Sequence, residues 1–165
     1  MMYYTIIKSP VDPILLVSDG NCLTGLYLDE EKYSKKIEDH WKESKAPFKS
    51  VIEQLRAYFS SELKEFNVDV SMQGTDFQKN VWRALNAIPY GETVSYKTIA
   101  EKIKSPKAMR AVGLANGKNP ISIIVPCHRV IGANGSLTGY GGGLPRKKWL
   151  LAHEMKNSDE GFELS

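Results

Sequence analysis

The pattern of apolar and polar positions changes along the chain, and its first part favours short strands. Three β-prone runs occupy residues 3–8, 14–18 and 22–28. The two segments between them, residues 9–13 and 19–21, carry the Pro, Gly, Asp and Asn that turns require. The sequence therefore predicts a sheet at the start of the chain.

The rest of the first region is less regular. A charged stretch at residues 30–45 shows little periodicity and predicts a loop with one helical turn. Apolar residues then recur at helical spacing from Val51 onward, which predicts an amphipathic helix to about residue 63. Residues 68–70 favour one more strand. Residues 1–74 thus predict an α/β domain, in which we find no candidate for chemistry.

Beyond residue 74 the pattern becomes mainly helical. Thr75 and Gln78 predict a capping box at the start of a first helix. A second helix is predicted over residues 96–104 and a third over residues 106–117. Because two short helices meet at a tight junction, this pair is a helix-turn-helix candidate.

The third predicted helix has unusually small side chains. Ser105 is its predicted N-cap, and Pro106 would occupy its first turn. Gly113 in a helix interior costs about 1 kcal/mol relative to alanine, so close approach of another surface should compensate. That surface is either a neighbouring helix or the minor groove of DNA, which is only about 6 Å wide.

The last part of the chain contains an apolar run and a final helix. Residues 121–125 lead directly into Cys127, and Asn134-Gly135 predicts a hairpin-like turn. A last helix is predicted from Pro145. We therefore divide the chain into domains at residues 1–74 and 75–156, with an acidic tail over residues 157–165.

Charge is distributed unevenly between the two regions. Residues 1–74 hold nine Lys and Arg against twelve Asp and Glu, whereas residues 75–165 hold thirteen against seven. From Lys97 to Lys148 there are ten basic residues and one acidic residue, Glu101. Such a segment is either an electrostatic footprint for a polyanion or a solvated basic face.

Cysteine usage indicates a reducing compartment. The chain has two cysteines, Cys22 and Cys127, which do not make a disulfide framework. The first residues lack the basic and apolar regions of a signal peptide, and no apolar run reaches membrane-spanning length. We therefore expect a cytoplasmic protein with no membrane partner, in which a free thiol persists.

Cys127 is the candidate nucleophile. A lone cysteine is by default a small apolar residue, but here Pro126 precedes it, and His128 and Arg129 follow at once. Cationic neighbours lower the pKa of a thiol, so we expect an ionised sulfur. Glu154 on the last helix is a candidate to orient the imidazole. A Cys–His–Glu set would serve a thiol hydrolase as well as a transferase.

Longer motifs in the second region resemble one family. Residues 126–130 are Pro-Cys-His-Arg-Val, residues 139–144 are Gly-Tyr-Gly-Gly-Gly-Leu and residues 149–154 are Trp-Leu-Leu-Ala-His-Glu. With residues 91–96 and 110–113, they resemble the O6-alkylguanine-DNA alkyltransferases in order and spacing. The resemblance implies a ribonuclease-H-like α/β N-terminal lobe and a mainly α C-terminal winged helix-turn-helix domain.

The resemblance also implies direct-reversal repair. Cys127 would accept the alkyl group from O6-alkylguanine in double-stranded DNA, and from O4-alkylthymine, and would be consumed because the product is a thioether. His128 would take the thiol proton through a water, and Glu154 would hold the imidazole. Asn119 would brace the turn before the cysteine, and Tyr96 would donate a hydrogen bond to guanine N3.

DNA contacts follow from the same resemblance. The protein would act as a monomer, with its third helix in the minor groove and Arg110 filling the gap left by the flipped nucleotide. The other residues expected at the DNA or at the flipped base are Lys107, Ala111, Gly113, Ala115, Arg129, Val130, Tyr140 and Gly141.

Two features depart from the pattern of some relatives. Gly141 stands where some of them carry serine, from which we expect a roomier pocket that accepts bulkier O6 groups. Some relatives bind zinc in the N-terminal lobe, but here Cys22 and His40 are the only soft ligands before residue 75. We therefore expect no metal and no cofactor.

Two other functions compete with alkyl transfer. A lesion-binding relative or a winged-helix regulator would hold DNA without transfer, but such lesion binders lack the acceptor cysteine. A cysteine hydrolase would turn over an acyl substrate and would leave Arg110 and the small-residue helix unexplained.

Overall fold

The structure, a computed structural model, describes residues 1–137, 140 and 142–157. Gly141 and most of the predicted tail, residues 158–165, lie outside the described residues. Contacts between Cα atoms divide the chain into two compact units, Met1–Gln73 and Gly74–Ser165. Within the described residues, no helix has the length and apolar character needed to cross a membrane.

The first unit is built on a four-stranded sheet. Strands β1 (Tyr3–Ile7), β2 (Ile14–Ser18) and β3 (Leu23–Tyr27) pair antiparallel in sequence, close to the predicted runs. Strand β4 (Lys42–Glu43) was not predicted and pairs in parallel with β1, so the order is β3-β2-β1-β4. All five residues of β2 are buried, because this inner strand is covered on both faces.

Helices cover this sheet. Helix α1 (Glu30–Tyr33) is capped by Asp29, and a 3₁₀ turn (Ala46–Phe48) leads into α2 (Lys49–Phe59). Helix α2 ends four residues before the predicted limit, where Ser61 adopts a positive φ of 68°. The strand predicted at residues 68–70 is reduced to one parallel bridge between Val70 and Leu23.

The second unit is mainly helical. It contains α3 (Asp76–Asn86), α4 (Tyr96–Lys102), α5 (Met109–Gly117) and α6 (Leu144–Lys156). The predicted capping box of α3 is confirmed, since Gln78 N donates to Thr75 Oγ1 at 3.1 Å and Thr75 N donates to Gln78 Oε1 at 2.9 Å.

The predicted start of the third helix is wrong. Helix α5 begins at Met109 rather than at Pro106, and Ser105 does not cap it. Lys104, two residues after the end of α4, has a φ of 61°, and Ala108 N then donates to Ser105 O at 2.9 Å. Pro106 therefore occupies the second position of a turn, a place that its fixed φ suits equally well.

Two contacts fix the elements around the candidate nucleophile. Trp82 Nε1 on α3 donates to Ala115 O on α5 at 3.0 Å in the interior. Strand β5 (Val94–Ser95) pairs in parallel with β6 (Val130–Ile131), which brings the start of α4 beside the segment after Cys127. The predicted Asn134-Gly135 turn forms, since Gly135 N donates to Gly132 O and Gly132 N donates to Ser136 O, both at 2.8 Å.

Candidate active site

Cys127 lies at the start of a buried 3₁₀ turn (Cys127–Arg129). Its side chain is 2% exposed. Asn119 braces the irregular segment before it, since Asn119 Nδ2 donates to Val125 O at 2.8 Å and Ile121 N donates to Asn119 Oδ1 at 3.0 Å. Ile123 in that segment has a φ of 71°, a strained conformation for a β-branched residue. The chain thus has a strained residue four positions before the candidate nucleophile.

The residue after the cysteine, His128, belongs to a buried imidazole–carboxylate pair. His128 Nε2 is 2.6 Å from Glu154 Oε2, and both side chains are at most 1% exposed. Because the carboxylate is an acceptor, Nε2 carries the proton and Nδ1 presents a lone pair. His128 Nδ1 is buried and has no hydrogen-bond partner within the described residues. The ring therefore has one nitrogen held by Glu154 and one left to accept a proton.

Arg129 does not lie where we expected it. Its side chain is buried, with Nε 2.8 Å from Glu154 Oε1 and Nη2 3.0 Å from Glu154 Oε2. Nη1 donates to Ile88 O at 2.7 Å. The expectation that Arg129 contacts DNA is therefore wrong, because its fork of donors is engaged in the interior. Adjacent side chains at residues 128 and 129 both converge on one carboxylate.

Burial rather than charge dominates the ionisation of the cysteine. The expected ionised sulfur is not what the structure gives: burial raises the pKa of the Cys127 thiol, and hydrogen bonding from Asn119 and the Lys147 charge only partly offset it. Burial also lowers the pKa of His128, against the opposing effect of Glu154. Both shifts favour the neutral forms, so the thiol and the imidazole are each uncharged at neutral pH.

Lys147 is a functional candidate that the sequence reasoning missed. Its side chain is fully buried, and Nζ donates to Val130 O at 2.5 Å. Burial lowers the pKa of Lys147 to about 8. Lys147, Leu150 and Glu154 are the buried residues of α6. Lys147 lies seven residues before Glu154, so both side chains lie on the same face of the helix as Leu150. That spacing was a signal available in the sequence.

The candidate DNA-contacting residues of the second unit separate into two groups. Arg110 and Ala111 are exposed on α5, and Lys107 is exposed in the turn before it. Ala115 is buried and its carbonyl accepts from Trp82, so its expected DNA contact is wrong. Its place on α5 is a helix-packing position.

The remaining candidates are Tyr96, Gly113, Val130, Tyr140 and Gly141. Tyr96 is half-buried at the start of α4, and a Cβ on Gly113 would stand 3.8 Å from its ring. Val130 and Tyr140 are buried. Gly141, expected to contact the flipped base, lies outside the described residues. The two explanations for Gly113 were packing against a neighbouring helix and contact with the minor groove of DNA. The packing explanation finds no support here, because the 3.8 Å distance to the Tyr96 ring would accommodate a larger residue.

Helix α5 also exposes two large apolar side chains that the small-residue pattern did not suggest. Met109 is 47% exposed and Leu114 is 63% exposed. Leu114 lies one turn after Arg110, so both belong to the same exposed face. This face combines a cation, a small residue and an aliphatic side chain.

No metal site accompanies this arrangement in the part of the chain that the structure describes. The described residues contain no group of three or more His, Cys, Asp or Glu able to hold a metal ion. Cys22, the other free cysteine, is half-buried in the first unit. A buried thiol with an imidazole base supports nucleophilic substitution by sulfur.

Comparisons with known proteins agree over the whole length. Residues 76–156 match "6-O-methylguanine DNA methyltransferase, DNA binding domain", and residues 2–72 match the "ribonuclease-like domain" of the same family. A methylated-DNA–protein-cysteine methyltransferase of Methanosarcina mazei is 56% identical over 94% of this chain and 99% of its own. One of the same name from Mycobacterium tuberculosis is 54% identical over 99% of both chains.

Solved structures show the same fold. The crystal structure of Mycobacterium tuberculosis O6-methylguanine methyltransferase is 50% identical, covers 99% of both chains and superposes with a TM-score of 0.88. A crystal structure of the protein from that organism in complex with DNA has a TM-score of 0.87 over 98% of both chains. The fold class predicted from the sequence is therefore confirmed.

Proposed function

Since the chain belongs to the 6-O-methylguanine DNA methyltransferase family, we propose that it repairs DNA by moving the alkyl group of O6-alkylguanine onto Cys127. The family resemblance found in the motifs is thus confirmed. The protein binds DNA and is a methylated-DNA–protein-cysteine methyltransferase that reverses alkylation directly. The assignment of the acceptor, of the other site residues and of the alkylguanine substrate is the proposal.

One observation carries this proposal. A buried thiol is followed in the chain by an imidazole whose Nε2 is held by Glu154 at 2.6 Å and whose Nδ1 has no partner within the described residues. The thiol needs to lose a proton before it attacks, because its pKa is raised by burial. The free ring nitrogen supplies the base for that step, directly or through a water.

The reaction is an in-line displacement at carbon. His128 takes the Cys127 proton, and the sulfur forms a bond to the sp3 carbon as the bond from that carbon to guanine O6 breaks. The electron pair of the broken bond remains on guanine, where Tyr96 donates a hydrogen bond at N3. The product is a thioether, which water does not displace, so each protein molecule reacts once.

The buried position of the sulfur suits this chemistry. A nearly dry site excludes water as a competing nucleophile and strengthens the electrostatic contacts inside it. Lys147 Nζ, within the same interior, adds a positive charge that favours the thiolate. A duplex hides the alkyl group, so the damaged nucleotide must leave the stack, at a cost of a few kcal/mol.

The DNA side of the proposal rests on α5. Arg110, Ala111 and Lys107 are exposed, and the segment from Lys97 to Lys148 is strongly basic. In this assignment α5 enters the minor groove, and Arg110 fills the space of the flipped nucleotide. Binding through phosphates should weaken steeply as salt is raised. We further propose that the protein acts as a monomer in the cytoplasm.

Intact-protein mass measurement tests the proposal. The protein is mixed with a duplex that contains O6-methylguanine, and we expect a gain of one methyl group, limited to one equivalent. Cys127→Ala should abolish the gain, whereas Cys22→Ala, which removes the other cysteine, should leave it unchanged.

Other results would contradict alkyl transfer to Cys127. Binding to the methylated duplex without a gain in mass would indicate a lesion reader. Repeated turnover of a small ester would indicate a hydrolase. A methyl group that remains on the Cys127→Ala protein would place the acceptor elsewhere.

A further inference from the structure

Arg129 makes the most complete set of polar contacts in the candidate site. Its Nε and Nη2 contact the two oxygens of Glu154 at 2.8 and 3.0 Å, and Nη1 donates to Ile88 O at 2.7 Å. Its guanidinium carbon also lies 5.7 Å from the ring centre of Tyr90. The residue thus joins the 3₁₀ turn of the cysteine to α6 and to the loop after α3.

Glu154 accepts hydrogen bonds from three residues at once. Oε2 accepts from His128 Nε2 and from Arg129 Nη2, while Oε1 accepts from Arg129 Nε and, at 3.3 Å, from Gly91 N. A carboxylate on a single hydrogen bond could rotate about its terminal torsion. The bidentate fork removes that freedom, because both oxygens are fixed in one plane.

We propose that Arg129 is a positioning residue of the proton relay, whose fork fixes the Glu154 carboxylate so that the His128 ring is held with Nδ1 available to the thiol. This inference rests on the proposed role of Cys127. Arg129 touches neither the sulfur nor the alkyl group, and it acts only through Glu154.

The charge of Arg129 has a second consequence for the imidazole. A cation beside the carboxylate competes with His128 for it and opposes protonation of the ring. The other ionisable groups around the relay are Cys127, Lys147 and Tyr140, with Tyr90 near Glu154. Lys147 is the other cation among them, so removal of Arg129 should change the charge balance at the ring measurably.

A purely structural role would predict a different outcome. Buried ion pairs are often replaceable by apolar residues of similar size without loss of stability. If Arg129 only filled space, a methionine there would alter neither the protonation of His128 nor the reactivity of Cys127 in the folded protein. The proposal requires both to change.

The test uses the full chain without DNA, in a Cys22→Ser background that leaves Cys127 as the only thiol. The variants are Arg129→Met, Arg129→Lys and, as a control that removes an exposed arginine of the same unit, Arg83→Met. The rate of Cys127 alkylation by iodoacetamide is measured at pH 8. In parallel, ¹⁵N NMR of the labelled histidines follows the protonation of His128 with pH.

We expect Arg129→Met to move the protonation of His128 to higher pH and to slow alkylation about tenfold, because the base loses its alignment. Arg129→Lys keeps the charge but not the fork, so His128 should titrate as in the parent while alkylation slows severalfold. Arg83→Met should behave as the parent. An unchanged His128 titration and unchanged alkylation in a folded Arg129→Met protein would overturn the proposal.

If Arg129→Met does not fold, Arg129→Lys decides, and an alkylation rate equal to that of the parent would overturn the proposal. Failure here is distinguishable from failure of the proposed function, since neither measurement involves DNA. If the parent accepts a methyl group from DNA but Arg129→Met changes neither the His128 titration nor the rate of Cys127 alkylation, only the role of Arg129 is refuted.

Discussion

The interior of the first unit and that of the second unit are built from different residues. Among the described residues, the buried polar side chains of the unit Met1–Gln73 are Thr5 and Ser18, and neither is ionisable under ordinary conditions. The second unit buries polar and ionisable side chains together, namely Asn116, Asn119, Ser122, His128, Arg129, Lys147 and Glu154.

This difference indicates that the first interior serves the stability of the fold and that the second also serves the reaction. An apolar interior such as that around Leu15 and Tyr33 needs only burial to be stable. Buried charges cost free energy unless they are paired, and an apolar replacement would often be at least as stable. The second unit accepts that cost at Glu154 and Lys147, so these residues should matter for transfer, whereas the apolar residues of the first unit should matter for folding alone. The four predictions below test that contrast, in order of expected effect on transfer.

Glu154→Gln should have the largest effect, about a hundredfold loss in the rate of methyl transfer, because His128 loses the partner that orients it. Arg129 would be left buried without its carboxylate, which costs about 3–5 kcal/mol in the free energy of unfolding. Single-turnover transfer and chemical denaturation measure the two effects. A variant that keeps the parent rate would remove Glu154 from the relay.

The pH dependence of stability is the control for that variant. Burial alone would raise the pKa of Glu154, but His128 and Arg129 outweigh it and hold the pKa well below its usual range. A depressed pKa stabilises the fold above the unfolded value of about 4.3, and that stabilisation is lost as pH falls below it. The parent should therefore lose stability below about pH 4 more steeply than Glu154→Gln.

Lys147→Met should slow transfer about tenfold at pH 7. The Lys147 charge lowers the pKa of Cys127, so its removal should raise that pKa further and move the rate profile to higher pH. The folded pKa of Lys147, about 8, lies below the unfolded value of about 10.4. The parent should therefore gain stability as pH rises from about 8 to 10.4, and the methionine variant should not. Identical rate profiles would exclude the lysine from the chemistry.

Gly113→Ala should slow transfer only a fewfold while it stabilises the protein. Alanine in a helix interior is favoured over glycine by about 1 kcal/mol, and the added Cβ would meet the Tyr96 ring at an ordinary 3.8 Å. Its methyl group would nevertheless occupy the space beside Tyr96 that the proposed groove contact uses. Iodoacetamide labelling of Cys127, which needs no DNA, should be unchanged. Faster transfer to a more stable variant would count against the groove assignment for α5.

The local signals of the sequence predicted much of the fold. The β-prone runs and the turn residues between them located the first three strands to within one residue at each end, and the Thr75 capping box located the start of α3. Strand β4 escaped prediction because it consists of only two residues in a charged segment. The prediction at Ser105-Pro106 was wrong because the same pair suits an N-cap or a turn, and the positive φ of Lys104 after α4 favours the turn.

Which side chains lie close together in the fold was harder to predict from the sequence. The motif supplied Cys127, His128 and Glu154, but nothing local distinguishes a DNA-binding arginine from one that pairs with a carboxylate 25 positions later. Arg129 was misassigned for that reason. Lys147 was missed because a lysine is expected at a surface, and its burial depends on how α6 packs.

Leu15→Ala should have the smallest effect on transfer and thus sharpen the contrast most directly. Leu15 is fully buried on β2 and packs with Val17 and Tyr33, so its truncation should cost about 2–5 kcal/mol of stability. Every residue proposed for the reaction lies in the second unit, so the folded fraction should transfer methyl at the parent rate. Denaturation fixes the folded fraction, and single-turnover transfer at low temperature is normalised to it. A slower normalised rate would mean that the apolar interior of the first unit contributes to the chemistry as well as to folding, and the separation drawn between the two interiors would fail.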